Sequence, residues 1–141
     1  MMKTIKFLAL ALLAITSVSS CKKDEKISPS NSAAVIKDGT WKVTLFSEDG
    51  VNETSYFTGY SFDFMDGGIV KATSGSNTVN GTWGTREDSG KTKMDLNFDD
   101  VNNFDELDED WEILTQNSSK IELKHVSGGN GTTDLLTFEK E

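Results

Sequence analysis

TWKVTLF, residues 40–46, alternates bulky apolar with polar side chains, which puts Trp41, Val43 and Leu45 on one face and Thr40, Lys42 and Thr44 on the other. A two-residue period belongs to a strand with one buried face, because successive Cβ atoms of extended backbone point to opposite sides. The period recurs along the chain. YFTGYSFDF (56–64) groups Tyr56, Tyr60, Phe62 and Phe64 against Gly59, Ser61 and Asp63. TVNGTWG (78–84) offers Val79 and Trp83, KMDLNF (93–98) Met94, Leu96 and Phe98, and WEIL (111–114) Trp111 and Ile113. KIELKH (120–125) supplies Ile121, Leu123 and His125, and LLTF (135–138) Leu136 and Phe138. GIVKAT (68–73) leaves two choices, Val70 with Ala72 or Ile69.

Turn-forming clusters separate these runs: SEDG (47–50), DGG (66–68), SGSN (74–77), DSG (88–90), NSS (117–119) and SGGNG (127–131). Glycine, asparagine and aspartate supply the positive φ that tight hairpins require. No helical period runs over a useful length. The acidic stretch DDVNNFDELDED (99–110) links two strands and has room for a turn of helix carrying Phe104 and Leu107. The expectation is an all-β domain of eight strands joined mostly by short loops, a single antiparallel up-and-down barrel. An even-numbered meander closes first strand against last and so removes its exposed edges. A β-sandwich is the alternative, and it needs longer crossovers than most of these connections.

Upstream the chain reads MMKTIKFLALALLAITSVSSC, residues 1–21. Lys3 and Lys6, an apolar run from Phe7 to Thr16, and small residues before Cys21 form the pattern of a secretory signal peptide over residues 1–20. The run falls well short of the ~20 residues of a spanning helix. Val18-Ser19-Ser20-Cys21 resembles the lipobox of bacterial lipoproteins, which implies lipid attachment at Cys21 as the first mature residue. Cys21 is the only cysteine, so an intrachain disulfide is excluded. Two or three acyl chains anchor stably where one holds marginally. Lys22 stands where that family's inner-membrane retention signal has aspartate, which favours a lipid-anchored outer-membrane location, on the periplasmic face or the cell surface.

Residues 22–38 contain the only proline, Pro29, and little apolar content. With Cys21 they read as a tether, with SAAVIKDG (32–39) as one helical turn before the domain at residues 39–141. About 15 flexible residues at ~5–6 Å × √n would hold the domain roughly 20 Å from the bilayer. Beyond residue 20 the chain keeps 12 basic and 23 acidic side chains, having lost only Lys3 and Lys6, for a net charge of −11. Such a surface repels nucleic acid and anionic headgroups.

GTW occurs twice, at Gly39–Trp41 and Gly81–Trp83. GTWKV opening the first strand resembles the G-x-W signature of lipocalins, and the two copies together resemble short lipocalin-like domains of bacterial outer-membrane lipoproteins. The resemblance covers about Gly39 to Lys140. It implies that Trp41 plugs the base of the barrel. Classical lipocalins also carry an arginine near the last strand that stacks on this tryptophan; the single arginine here is Arg86, in mid-domain.

An eight-stranded barrel is just wide enough to be filled by side chains or to hold one small ligand. A pocket would have Tyr60, Phe62, Met94, Phe98, Trp111 and Leu123 among its walls, an apolar and aromatic lining suited to a lipid-like or aromatic molecule. A filled core accounts for the same residues. Inside, only His125 offers a cation for a free carboxylate, and as the lone histidine at a strand end it reads as a rim residue. Cys/His metal sites are excluded by count, and 99–110 lacks the glycine and ligand order of an EF-hand. No nucleophile–histidine–acid pattern, nucleophile elbow or phosphate loop is present. The sequons at Asn52, Asn80, Asn117 and Asn130 read as polar turn and strand composition. Expected, then, is a non-enzymatic, cofactor-free envelope lipoprotein that either binds a small apolar ligand or meets a protein partner with its barrel filled.

Overall fold

The computed structural model describes residues 24–141. Among them are α1 (Pro29–Ile36) and nine strands: β1 (Thr40–Glu48), β2 (Val51–Asn52), β3 (Ser61–Met65), β4 (Ile69–Ser74), β5 (Asn77–Asp88), β6 (Lys91–Phe98), β7 (Asp110–Asn117), β8 (Lys120–Val126) and β9 (Thr133–Lys140). Neighbours in sequence pair antiparallel from β3 to β9, and β9 returns to β1 over Trp41–Lys140 through Ser47–Leu135. The result is a closed eight-stranded antiparallel barrel. β2 is a two-residue addition folded back on the end of β1. The seam between β1 and β3 is short, with only Thr40–Asp63 and Trp41–Phe62 paired.

All eight expected strands form, and the ambiguous one resolves with Val70 and Ala72 inward and Ile69 exposed. Two runs depart from strict alternation. A bulge between Val43 and Leu45 turns Phe46 into the core and Leu45 toward the outside. A second, between Ile113 and Thr115, turns Gln116 inward and Thr115 outward, while Leu114 keeps the outward side that alternation gives it. An inserted residue reverses the parity of everything after it. Tyr56 also departs from expectation: Thr54–Phe57 is a 3-10 turn, which buries Phe57 and leaves Tyr56 exposed.

The segment read as a tether is corrected in part, because residues 24–38 pack on the barrel. Pro29 starts α1 at the position where its missing N–H costs nothing. Val35 and Ile36 then enter the core at the end where β1 begins. Glu25 N–H donates to the Gln116 carbonyl (2.7 Å), and Gln116 Nε2 donates to the Lys26 carbonyl (3.0 Å). Gly39, at φ +97°, takes the left-handed conformation that turns the chain from α1 into β1. The indole N–H of Trp41 donates to the Ile36 carbonyl at 2.8 Å, satisfying a helix-end acceptor that has no intrahelical partner. Residues 1–23, and with them the signal peptide and Cys21, lie outside the described residues.

The glycine of the second GTW has a packing reason. A Cβ on Gly81 would stand 2.6 Å from the Asn97 carbonyl oxygen and 2.7 Å from the Phe98 ring. Its absence lets that ring lie across β5.

Since α1 belongs to the cooperative unit, Ile36→Ala should lower the unfolding free energy by about 2–5 kcal/mol in urea denaturation. A residue on a free tether would change it by no more than about 0.5 kcal/mol.

Candidate functional site

Three places on the molecule could recognise something: the barrel interior, the end where β1 finishes (the mouth), and an outer strip of leucines. The interior brings together all six residues expected as pocket walls. Phe62, Met94 and Trp111 are fully buried, Phe98 and Leu123 nearly so, and Tyr60 is half-buried against the core. All belong to one core, and Tyr60, Phe62 and Phe98 pack on Phe104, which the acidic segment inserts as part of a 3-10 turn, Phe104–Leu107. Its ring lies 4.9 Å from Tyr60, 5.2 Å from Phe98, 5.3 Å from Phe57 and 6.0 Å from Phe62, measured between centroids. At such spacings the rings touch, and each pair adds about 0.5–1.5 kcal/mol beyond its area burial. Phe104 and Leu107 close the mouth as Trp41 and α1 close the base. Sequence reasoning found Phe104 as an apolar residue of the linker and missed that it enters the barrel.

Trp41 sits fully buried at the base, where the lipocalin resemblance puts it. The cation over its ring comes from the last strand: Lys140 Nζ lies 5.5 Å from the ring centroid and pairs with Asp38 at 2.8 Å. A lysine thus holds the place where the resemblance implies an arginine, and Arg86 instead bridges Asp88 and Asp95 on the outer surface.

At the mouth, Glu48, Asp49, Glu53, Glu109 and Asp134 line a polar cleft of about 430 Å³. Partial burial, reinforced by the charges of Glu106, Glu53 and Asp134, pushes the Glu48 carboxyl up to about 7. His125 stands beside this cleft, its ring edge-on to Trp111. Its Nδ1 lies 3.2 Å from an Asp110 carboxylate oxygen and its Nε2 3.4 Å from Glu109. The expected rim position is correct; the two carboxylates were not foreseen.

The outer strip owes Leu45 to the bulge in β1. Leu45, displaced from the core, joins the outward-facing Leu114 and Leu135 across β7, β8, β9 and β1, where a shallow groove of about 250 Å³ also touches Glu122 and Thr137. Leu114 and Leu135 are exposed, at 39% and 37%.

No protein-family model matches the sequence, and no curated protein matches it. Among solved structures, that of a DUF4847 family protein from Bacteroides vulgatus ATCC 8482 is similar, with a TM-score of 0.53 and 17% sequence identity, over 78% of this chain and 97% of that one. At that identity the likeness speaks to the fold alone.

The Glu48 carboxyl makes stability pH-dependent in a definite direction. Its pKa is higher folded than unfolded, so the folded state holds the extra proton between about pH 4.5 and 7 and stability falls as pH rises through that window. Solvent screening limits the effect to about 1 kcal/mol or less. Glu48→Gln should therefore raise the thermal midpoint by a few degrees at pH 8 and leave it nearly unchanged at pH 4. Equal shifts at both pH values would rule this out.

Proposed function

We propose that this chain is a lipid-anchored lipoprotein of the outer membrane, attached through Cys21, whose filled barrel is a non-enzymatic module for meeting a protein partner. The anchor reading rests on the sequence from Lys3 to Cys21. The filled-barrel reading rests on one observation above others: Phe104 occupies the space among Tyr60, Phe62 and Phe98 that a ligand would need. The outer strip of Leu45, Leu114 and Leu135 supplies an apolar surface on which a partner could bury area. A lipocalin-like barrel that binds a small apolar ligand is the second reading. It draws on the aromatic lining and on the position of Phe104 in a single turn after Asn102 and Asn103, both at positive φ. In that reading the turn withdraws and the ligand replaces the ring.

Cells fed labelled palmitate should label the wild-type protein and not Cys21→Ala, and the variant should leave the membrane fraction. Label retained by the variant would defeat the anchor. Native mass spectrometry of residues 22–141 separates the two barrel readings. A bare chain mass that stays unchanged when a lipid extract is added supports the filled barrel. Extra mass lost on denaturation would replace it with the ligand reading.

A further inference from the structure

Glu109 and Asp110 lie at the start of β7, and His125 lies near the end of β8. Pairing of Glu112 with Lys124 and of Ile113 with Leu123 draws these two strand ends side by side. One ligand atom from each of Glu109, Asp110 and His125 then falls within 4.8 Å of the others. We infer that His125 and Glu109, with Asp110 holding the imidazole from behind, form a binding site for a divalent transition metal, zinc in particular, at the edge of the mouth.

The arrangement separates the two ring nitrogens by role. Nδ1 lies 3.2 Å from the Asp110 carboxylate and 3.3 Å from the Asp110 carbonyl oxygen, both of which only accept, so it carries the proton. That assignment leaves the Nε2 lone pair free. A carboxylate that fixes the tautomer and ring angle in this way is the usual outer partner of a metal-bound histidine. Asp110 suits that supporting role because Arg86, at 3.4 Å, and Lys93, at 3.5 Å, already balance its charge on its other side.

Glu109 differs. Its carboxylate stands 3.4 Å from Nε2, long for a hydrogen bond but close to the edge of a zinc tetrahedron, about 3.4 Å for bonds of about 2.0–2.2 Å. It faces the cleft that Glu48, Asp49, Glu53 and Asp134 also line and that no lysine or arginine lines. Cationic charge is therefore favoured there. The remaining coordination positions open on this cleft, where water completes the sphere. One imidazole nitrogen with carboxylate oxygen selects zinc over calcium or magnesium, which take oxygen throughout.

The test is a zinc titration by calorimetry on chelator-treated, tag-free protein, paired with nitrogen-15 NMR of the imidazole. His125 is the only histidine, so its two ring signals are unambiguous. One zinc per chain is expected, with the Nε2 resonance moving and Nδ1 staying protonated. His125→Ala should abolish binding, Glu109→Gln should weaken it, and Asp110→Asn should weaken it roughly 10–100-fold. Should His125→Ala fail to fold, the wild-type spectrum and the two carboxylate variants still decide. Zinc binding that leaves the His125 signals unmoved, equal affinity in His125→Ala, or displacement of zinc by an equal concentration of calcium would each overturn the site.

Discussion

Each of the three tryptophans donates its indole N–H to a backbone carbonyl of a segment outside the strands or at a strand's end, and those bonds let so small a barrel close at all. Trp41 bonds to Ile36 at the end of α1, Trp83 to Met65 before the β3–β4 turn (3.0 Å), and Trp111 to Leu107 in the turn that carries Phe104 (3.0 Å). Eight strands can fill their own middle with side chains but not their two ends. Whatever covers an end must bring backbone with it, and a buried carbonyl left unpaired costs about 1–3 kcal/mol. An indole meets both needs, filling volume with its rings and pairing the carbonyl with its one donor. Trp41 and Trp111 thereby hold the covers of opposite ends, and a continuous aromatic column runs from Trp111 through Phe46, Phe57, Phe104, Phe62, Phe138 and Phe64 to Trp83.

A second constraint shapes the outside. The bulges in β1 and β7 each move one residue out of the wall, Leu45 and Thr115, and admit the next, Phe46 and Gln116. Phe46 then reaches Phe57 and Trp111, which fixes the mouth. Gln116 reaches the chain ahead of α1, which fixes the base. The displaced Leu45 and the outward-facing Leu114 lie on the same side of the barrel because β1 and β7 are bridged by β8 and β9. The place of Leu45 in the apolar outer strip is thus the counterpart of a well-filled mouth.

How much of this was legible follows from what each feature depends on. Strand number, order and most inward residues, such as Phe62, Met94 and Leu136, depend on local alternation, and the sequence carries it. The bulges do not: TWKVTLF alternates without fault through Leu45, and only the pairing of Val43 and Leu45 with consecutive β9 residues reveals the extra one. Of helix α1 the sequence offered one turn from Ser32; its start at Pro29 and its docking escaped because a short segment with few apolar positions resembles a linker until Val35 and Ile36 find a barrel end to enter. Lys140 escaped because a cation over an aromatic ring was sought as arginine. The Glu109–Asp110–His125 group was invisible for a different reason: acidic residues are plentiful in this chain, and only the β7–β8 register singles out two of them.

The docking of residues 24–38 also alters what an anchor at Cys21 would do. A free tether would let the domain tumble some distance from the bilayer, presenting every face. With Glu25 bonded to Gln116 at the base, only three residues separate the anchor point from the folded domain, a reach of at most about 14 Å. The base would then face the lipid and the acidic mouth would point away from it, a polarity that suits the charges. Carboxylates crowded near anionic headgroups would be repelled, whereas turned outward they meet solvent and cations. The leucine strip runs along the barrel side between these poles, so a partner using it would lie alongside the barrel, above the bilayer, without covering the mouth. In the proposed reading the two surfaces can therefore be occupied independently, one by a protein and the other by a metal ion.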